Sequence, residues 1–161
     1  MAEIIDPCII DVGVNLQKEI ELSAVRLLSY REHTVKQLRE KLLAKDFNLK
    51  EINIVLDDLL TRNLISHERF AEQYTSYRSK KGFGPVRISK EMREKGVPDA
   101  LIEQYLYDGS VAWYDLMEQI LFKKFGASPV LNFSERAKRA RFLEYRGFTS
   151  TEIRQCLFSE V

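Results

Sequence analysis

The residues best placed to do chemistry are cations gathered around a pair of glycines. Between Arg78 and Lys95 the chain sets Arg78, Lys80, Lys81, Arg87, Lys90, Arg93 and Lys95 against Glu91 and Glu94, although its formal net charge is only +1. Lys81-Gly82-Phe83-Gly84-Pro85 reads as a loop feeding a helix. The two glycines supply backbone freedom, and Pro85 takes the first helical position, where its missing N–H costs nothing. Gly96 closes that helix as a left-handed cap. Free N–H groups at the helix start, with Lys81 and Arg87, can hold one phosphate; a purely structural turn is the other reading. The spacing is neither a dinucleotide fingerprint nor a phosphate-binding P-loop. No strand precedes it, no third glycine falls in register, and the lysine comes before the glycines.

A second set lies at Lys138, Arg141 and Tyr145, spaced i, i+3, i+7 on one helix face. An aromatic among cations suits nucleic-acid contact, while a half-packed tyrosine is the ordinary alternative. Other chemistry is excluded by pattern. His33 and His67 have no neighbouring cysteine and no helical histidine partner, so no metal and no cofactor is expected. Asp57 and Asp58 are adjacent and point to different sides of a helix. No G-x-S-x-G and no Cys/His pairing occurs. The chain is therefore not expected to be an enzyme or to take a small-molecule substrate. Cys8 and Cys156 stand apart and outside any C-x-x-C, as free thiols of a reducing cytosol. No apolar run reaches the roughly 20 residues that cross a bilayer. Met1–Pro7 has no basic region ahead of an apolar core, so no secretory signal is expected.

The elements that must position these groups are helices. A hydrophobic fraction of 45% with 30% charged residues fits a folded, helix-rich chain, and 161 residues suffice for one domain or a few small units. Apolar residues at helical spacing run through Leu22–Tyr30. Thr34 caps a helix carrying Leu38, Leu42 and Leu43, and Asn48 caps one carrying Ile52, Val55, Leu56, Leu59 and Leu60, which ends at Asn63. Further helices are expected over Phe70–Lys80, Pro85–Lys95, Pro98–Tyr107, Trp113–Gly126, Ser134–Arg146 and Ser150–Phe158.

The pattern repeats. Leu42, Met92 and Leu143 recur at a spacing of about 50, as do Phe47, Val97 and Phe148; Ile52, Ile102 and Ile153; and Leu56, Leu106 and Leu157. The fold class expected is all-α: three tandem three-helix repeats in an elongated, curved body. Residues 1–20 are read as an N-terminal arm outside the core, because Pro7 and Gly13 interrupt their apolar pattern. Residues 21–66, 67–110 and 111–161 are the three repeats.

Charge is segmented. Residues 99–118 carry Asp99, Glu103, Asp108, Asp115 and Glu118 without a base, and residues 123–146 turn basic again. Such a field favours a polyanion or an acidic protein surface; solvated faces with internal ion pairs are the alternative.

These residues resemble the RecX family of regulatory proteins. The resemblance rests on Arg69-Phe70-Ala71, the stretch from Tyr77 to Ile88, and Lys95-Gly96-Val97. It is supported by Leu27–Thr34 with Leu38 and Lys41-Leu42, and by Lys123–Gly126 followed by Arg141–Phe148. It spans residues 22–158. The resemblance implies a cytoplasmic bacterial protein that binds the RecA–DNA filament and modulates or inhibits recombinase, ATPase and co-protease activity in DNA repair and the SOS response. Single-stranded DNA would be touched weakly or through the filament, and the chain would be a monomer. The alternative is a free-standing helical module for DNA or RNA. On charge and placement, the contact residues expected are Arg78, Lys80, Lys81, Arg87, Lys90, Arg93, Lys138, Arg141 and Tyr145. Arg87 and Lys90 are expected to face outward near Lys81, since Ile88 and Met92 must face in.

Overall fold

The structure, a computed structural model, describes the backbone of residues 7–127 and 132–158, with side chains from Asn15 onward. Every regular element among the described residues is an α-helix: α1 (Pro7–Tyr30), α2 (Val35–Leu43), α3 (Leu49–Thr61), α4 (His67–Lys80), α5 (Pro85–Glu94), α6 (Asp99–Tyr107), α7 (Trp113–Phe125), α8 (Phe133–Arg146) and α9 (Ser150–Phe158).

The chain divides into two compact units, one ending at Phe70 and the other starting at Ala71. In the first, α1, α2 and α3 pack on one another. Their shared core holds Ile20, Leu38, Leu42, Ile52, Leu56, Leu59 and Ile65, all but sealed from water, with Leu16, Leu28 and Phe47 around it. Local signals place these helices as expected. Thr34 and Gln37 form a reciprocal capping box at the start of α2. Asn48 accepts from the Lys50 N–H at the start of α3. Asn63 takes a left-handed backbone just past its end, at φ 56°.

The arm expected over residues 1–20 is different. Helix α1 begins at Pro7, Leu16 packs on the core and Ile20 is fully buried. Gln17 donates to the Glu51 carboxylate at 2.8 Å. Proline is harmless at a first helical position. A mid-helix glycine such as Gly13 costs only about 1 kcal/mol, less than burying one isoleucine returns. Residues 1–6 lie outside the described residues.

The second unit holds the two remaining triplets. Helix α5 packs on α6, while α9 packs on both α7 and α8. Ile88, Met92, Ile102 and Leu106 are buried in the first pair. Met117, Leu121, Leu143, Phe148 and Ile153 form the core of the last triplet, with Trp113 edge-on to Phe148. The Trp113 indole N–H donates to the Leu106 carbonyl at 2.9 Å. The cap of α8 is Asn132, which accepts from the Glu135 N–H, rather than Ser134.

One backbone crossing ties these triplets together. The Gly84 N–H donates to the Arg146 carbonyl, and the Val86 N–H to the Gly147 carbonyl, each at 2.9 Å. The start of α5 thus meets the end of α8, so donors and acceptors left without an intrahelical partner satisfy one another, and the positive end of one helix dipole meets the negative end of the other. A Cβ on Gly84 would sit 2.5 Å from the Gly147 oxygen, and one on Gly147 would strike Arg87. Gly84 itself has an ordinary φ of −88°. Its glycine is required by close approach, and only Gly82, at φ +78°, uses the backbone freedom expected of both.

Candidate functional site

The basic stretch is built on α5. Ile88 and Met92 are fully buried, which turns Arg87, Lys90, Glu91 and Glu94 toward the other side. There Glu91 becomes the hub of a network. Arg78 grips it with two nitrogens, Nε to Oε2 at 2.6 Å and Nη2 to Oε1 at 2.5 Å. Arg87 Nε donates to Oε1 at 3.1 Å and the Tyr74 hydroxyl to Oε2 at 2.9 Å. Burial is the largest single influence on the Glu91 carboxyl and opposes its charge. The bonds from Arg78, Tyr74 and Arg87 together outweigh it and hold the group below the ordinary carboxylate value. The Tyr74 phenol is pushed up to about 12, first by burial and then by its bond to Glu91.

Phe83 completes the arrangement. The guanidinium carbons of Arg78, Arg87 and Arg146 lie 3.9, 4.4 and 5.2 Å from its ring centroid. Arg146 also donates from Nη1 to the Lys81 carbonyl at 3.0 Å. These arginines therefore hold the loop and the helix in register. The Arg78 side chain is only 16% exposed, so it is an internal strut. Arg93 is bound to Asp99 at 2.6 Å.

The cations expected to bind together thus separate into two kinds. Lys80, Lys81, Lys90 and Arg141 are exposed and have no carboxylate partner among the described residues. Arg78, Arg87 and Arg93 are paired. Lys90 faces outward as expected, whereas Arg87 is half-buried against Glu91 and Phe83. The phosphate site considered at the helix start is filled by protein. Its Gly84 and Val86 N–H groups are spent on the carbonyls of Arg146 and Gly147.

Helix α8 brings its own residues to the same neighbourhood. Tyr145 is 77% exposed, and the Arg87 guanidinium lies 5.9 Å from its ring. Both line a shallow groove of about 420 Å³ with Lys90, Glu94 and Glu144. Arg141 and Lys138 continue along the exposed face of α8, one and two turns before Tyr145. Lys138 lies 3.8 Å from Glu135. Lys80 and Lys81 border a separate cleft with Lys123 and Lys124.

Sequence reasoning missed Glu91, Tyr74 and Phe83 as a scaffold. The available signal was Glu91 four residues after Arg87, a helical ion-pair spacing. Among the described residues no group of three or more His, Cys, Asp or Glu can hold a metal ion. His33 is buried with Nδ1 2.9 Å from the Arg31 carbonyl oxygen, and burial lowers its pKa. Burial, with Glu118 nearby, pushes the Cys156 thiol up, away from reactivity. No helix among the described residues is long and apolar enough to cross a membrane.

Comparison with known proteins covers most of the chain. Family models described as the first, second and third three-helix domains of RecX match residues 22–59, 66–106 and 114–157. The regulatory protein RecX of Halorhodospira halophila is 36% identical over 132 residues, covering 82% of each chain. That of Pseudomonas savastanoi pv. phaseolicola is 34% identical over 142 residues, covering 88% of this chain and 89% of its own. The crystal structure of RecX from Lactobacillus salivarius superposes with a TM-score of 0.76 at 20% identity, covering 89% of this chain and 95% of that one. A second crystal structure, of regulatory protein RecX, gives 0.81 at 20% identity, covering 97% and 80%. At that identity the structures speak for the fold alone.

Proposed function

This chain belongs to the RecX family of regulatory proteins, and from that premise we propose that it acts in the cytoplasm as a monomer that binds the RecA–DNA filament and restrains its ATPase, recombinase and co-protease activities. The relatives carry regulatory names, which supports a binding role. The observation that carries the reading is the strip formed by Lys90 on α5 and Tyr145, Arg141 and Lys138 on α8. It is exposed, and its base is held by the Arg87–Glu91 pair.

A strip of both signs around one exposed tyrosine suits a protein surface edged by phosphate. The aromatic supplies rigid contact area and the cations supply steering. Each exposed cation is worth little singly. Contacts joined on one unit act together on a repetitive filament, where binding of the first raises the effective concentration of the next.

The test is RecA ATP hydrolysis on single-stranded DNA with the protein titrated in. Lys90→Glu/Arg141→Glu should fold as the parent does, because both side chains are exposed, yet should fail to inhibit. Lys45→Glu/Lys50→Glu, the same charge change on exposed positions of the first unit, should inhibit normally. Equal inhibition by both variants at about 0.15 M salt overturns the assignment. Binding to naked DNA as tight as to the filament, with a steep salt slope, would instead favour the free-standing nucleic-acid module.

A further inference from the structure

The second unit holds a cleft of about 410 Å³ in which Lys80, Lys81, Lys123, Lys124 and Arg146 converge and which no carboxylate lines. We propose that this cleft is a binding site for adjacent phosphate groups, drawn from the phosphate chain of a nucleotide or from consecutive phosphodiesters of a single strand. It is distinct from the α5/α8 strip and does not depend on the filament reading.

The ordinary explanation for these cations is the helix dipole. Lys80 and Arg146 end α4 and α8, and Lys123 and Lys124 occupy the last turn of α7. Basic residues are favoured at helix C-termini for that reason alone. Magnitude decides against it as a full account. Three C-termini contribute roughly −0.5 charge each, against five full positive charges. The cleft keeps a net excess of about 3.5 charges, in a concavity that excludes part of the solvent and focuses the field.

Internal pairing does not remove that excess. Lys80, Lys123 and Lys124 are exposed without an ion pair among the described residues, and Lys81 only approaches the Tyr77 ring at 5.7 Å. Arg146 is fixed by its bond to the Lys81 carbonyl, which preorganises one wall. The rest of the lining is Gly82, Leu116, Ile120 and Phe142, with the Gln119 amide beside them. An apolar surface flanked by cations accommodates the organic part of a phosphate ester while its charges meet the lysines. Several cations around one concavity also match clustered anionic charge better than a lone carboxylate.

The experiment is calorimetric titration of the full chain, at about 0.15 M salt, with sodium tripolyphosphate, ATP and a short oligothymidylate in separate arms. The parent should bind tripolyphosphate saturably. Lys123→Glu/Lys124→Glu should weaken it by about tenfold or more, with Lys123→Gln/Lys124→Gln intermediate and Lys45→Glu/Lys50→Glu unchanged. Circular dichroism should superpose for all three variants and the parent. If tripolyphosphate and ATP bind and displace the oligonucleotide, the source is a compact phosphate chain. If the oligonucleotide alone binds and the Lys123/Lys124 variants lose it, the source is a strand, and the phosphate site stands. Failure of all three ligands to bind overturns the proposal. So does parent-like binding by Lys123→Glu/Lys124→Glu, or binding of ATP without tripolyphosphate.

Discussion

Two basic regions of the second unit lie within a few residues of each other in sequence and do opposite things. Around Glu91, cations are locked: Arg78 and Arg87 share one carboxylate and one aromatic ring, and little of Arg78 reaches solvent. Around Gly82, Lys80 and Lys81 meet Lys123 and Lys124 with no carboxylate between them. Charge of one sign along a sequence therefore does not report charge available to a partner. What decides is whether another element brings a carboxylate to the same place.

The sharpest way to break this contrast is to remove the hub. Glu91→Ala leaves Arg78 and the Tyr74 hydroxyl without their shared acceptor and should cost about 3 kcal/mol, the lower end for breaking a buried pair because its edge touches water. Lys123→Ala/Lys124→Ala should change stability by no more than about 0.5 kcal/mol. Urea melts of the two variants should therefore separate clearly; coincident midpoints would show that the network is no more structural than the cleft.

Next in size is the crossing that supports the network. Gly147→Ala introduces a Cβ against Arg87 at a left-handed φ of +90°, and should cost about 2 kcal/mol. Phosphate binding in the cleft, if the melt stays cooperative, should survive better than the fold of the α5 start. A wild-type melting midpoint would mean that the two backbones separate easily.

The smallest effect is read by pH. Glu91 has a folded pKa below its unfolded value near 4.5, so its contribution is complete above that value and is lost as pH falls through the folded pKa. Tyr74 is raised from 10.0 to about 12, so its contribution is complete below pH 10 and is lost as pH rises toward 12. Stability should therefore hold a plateau between these limits and decline on both sides. Glu91→Ala should shrink both shoulders, since it removes a titrating group and the acceptor of the Tyr74 hydroxyl. Identical pH profiles for variant and parent would dissociate the network from either shoulder.

The helical plan was legible because burial imposes a period. Leu42, Met92 and Leu143 are each fully sealed, on α2, α5 and α8 respectively. The caps at Thr34 and Asn48 were legible because one side-chain oxygen meets one N–H two or three residues on. The start of α1 was not, since Pro7 and Gly13 look like breaks until the packing of Leu16 and Ile20 is known. The site was legible only as composition. The partners of Arg78 and Arg93 come from Glu91 and Asp99. Lys123 and Lys124 join Lys80 only through folding. Pairings of that kind leave no local pattern.

The crossing of Gly84 and Val86 on Arg146 and Gly147 also bears on how the chain acquires its shape. The two hydrogen bonds join positions about sixty residues apart. The middle triplet thus cannot complete the first turn of α5 from its own residues, and its donors wait for carbonyls from the far end of the unit. Closing so long a loop costs entropy before any contact rewards it, although that cost grows only with the logarithm of length. The middle and last triplets should then gain and lose structure together, as one cooperative block. In hydrogen exchange, the amides of Gly84 and Val86 become reporters of the C-terminal third, opening when α8 leaves even though they belong to a different helix.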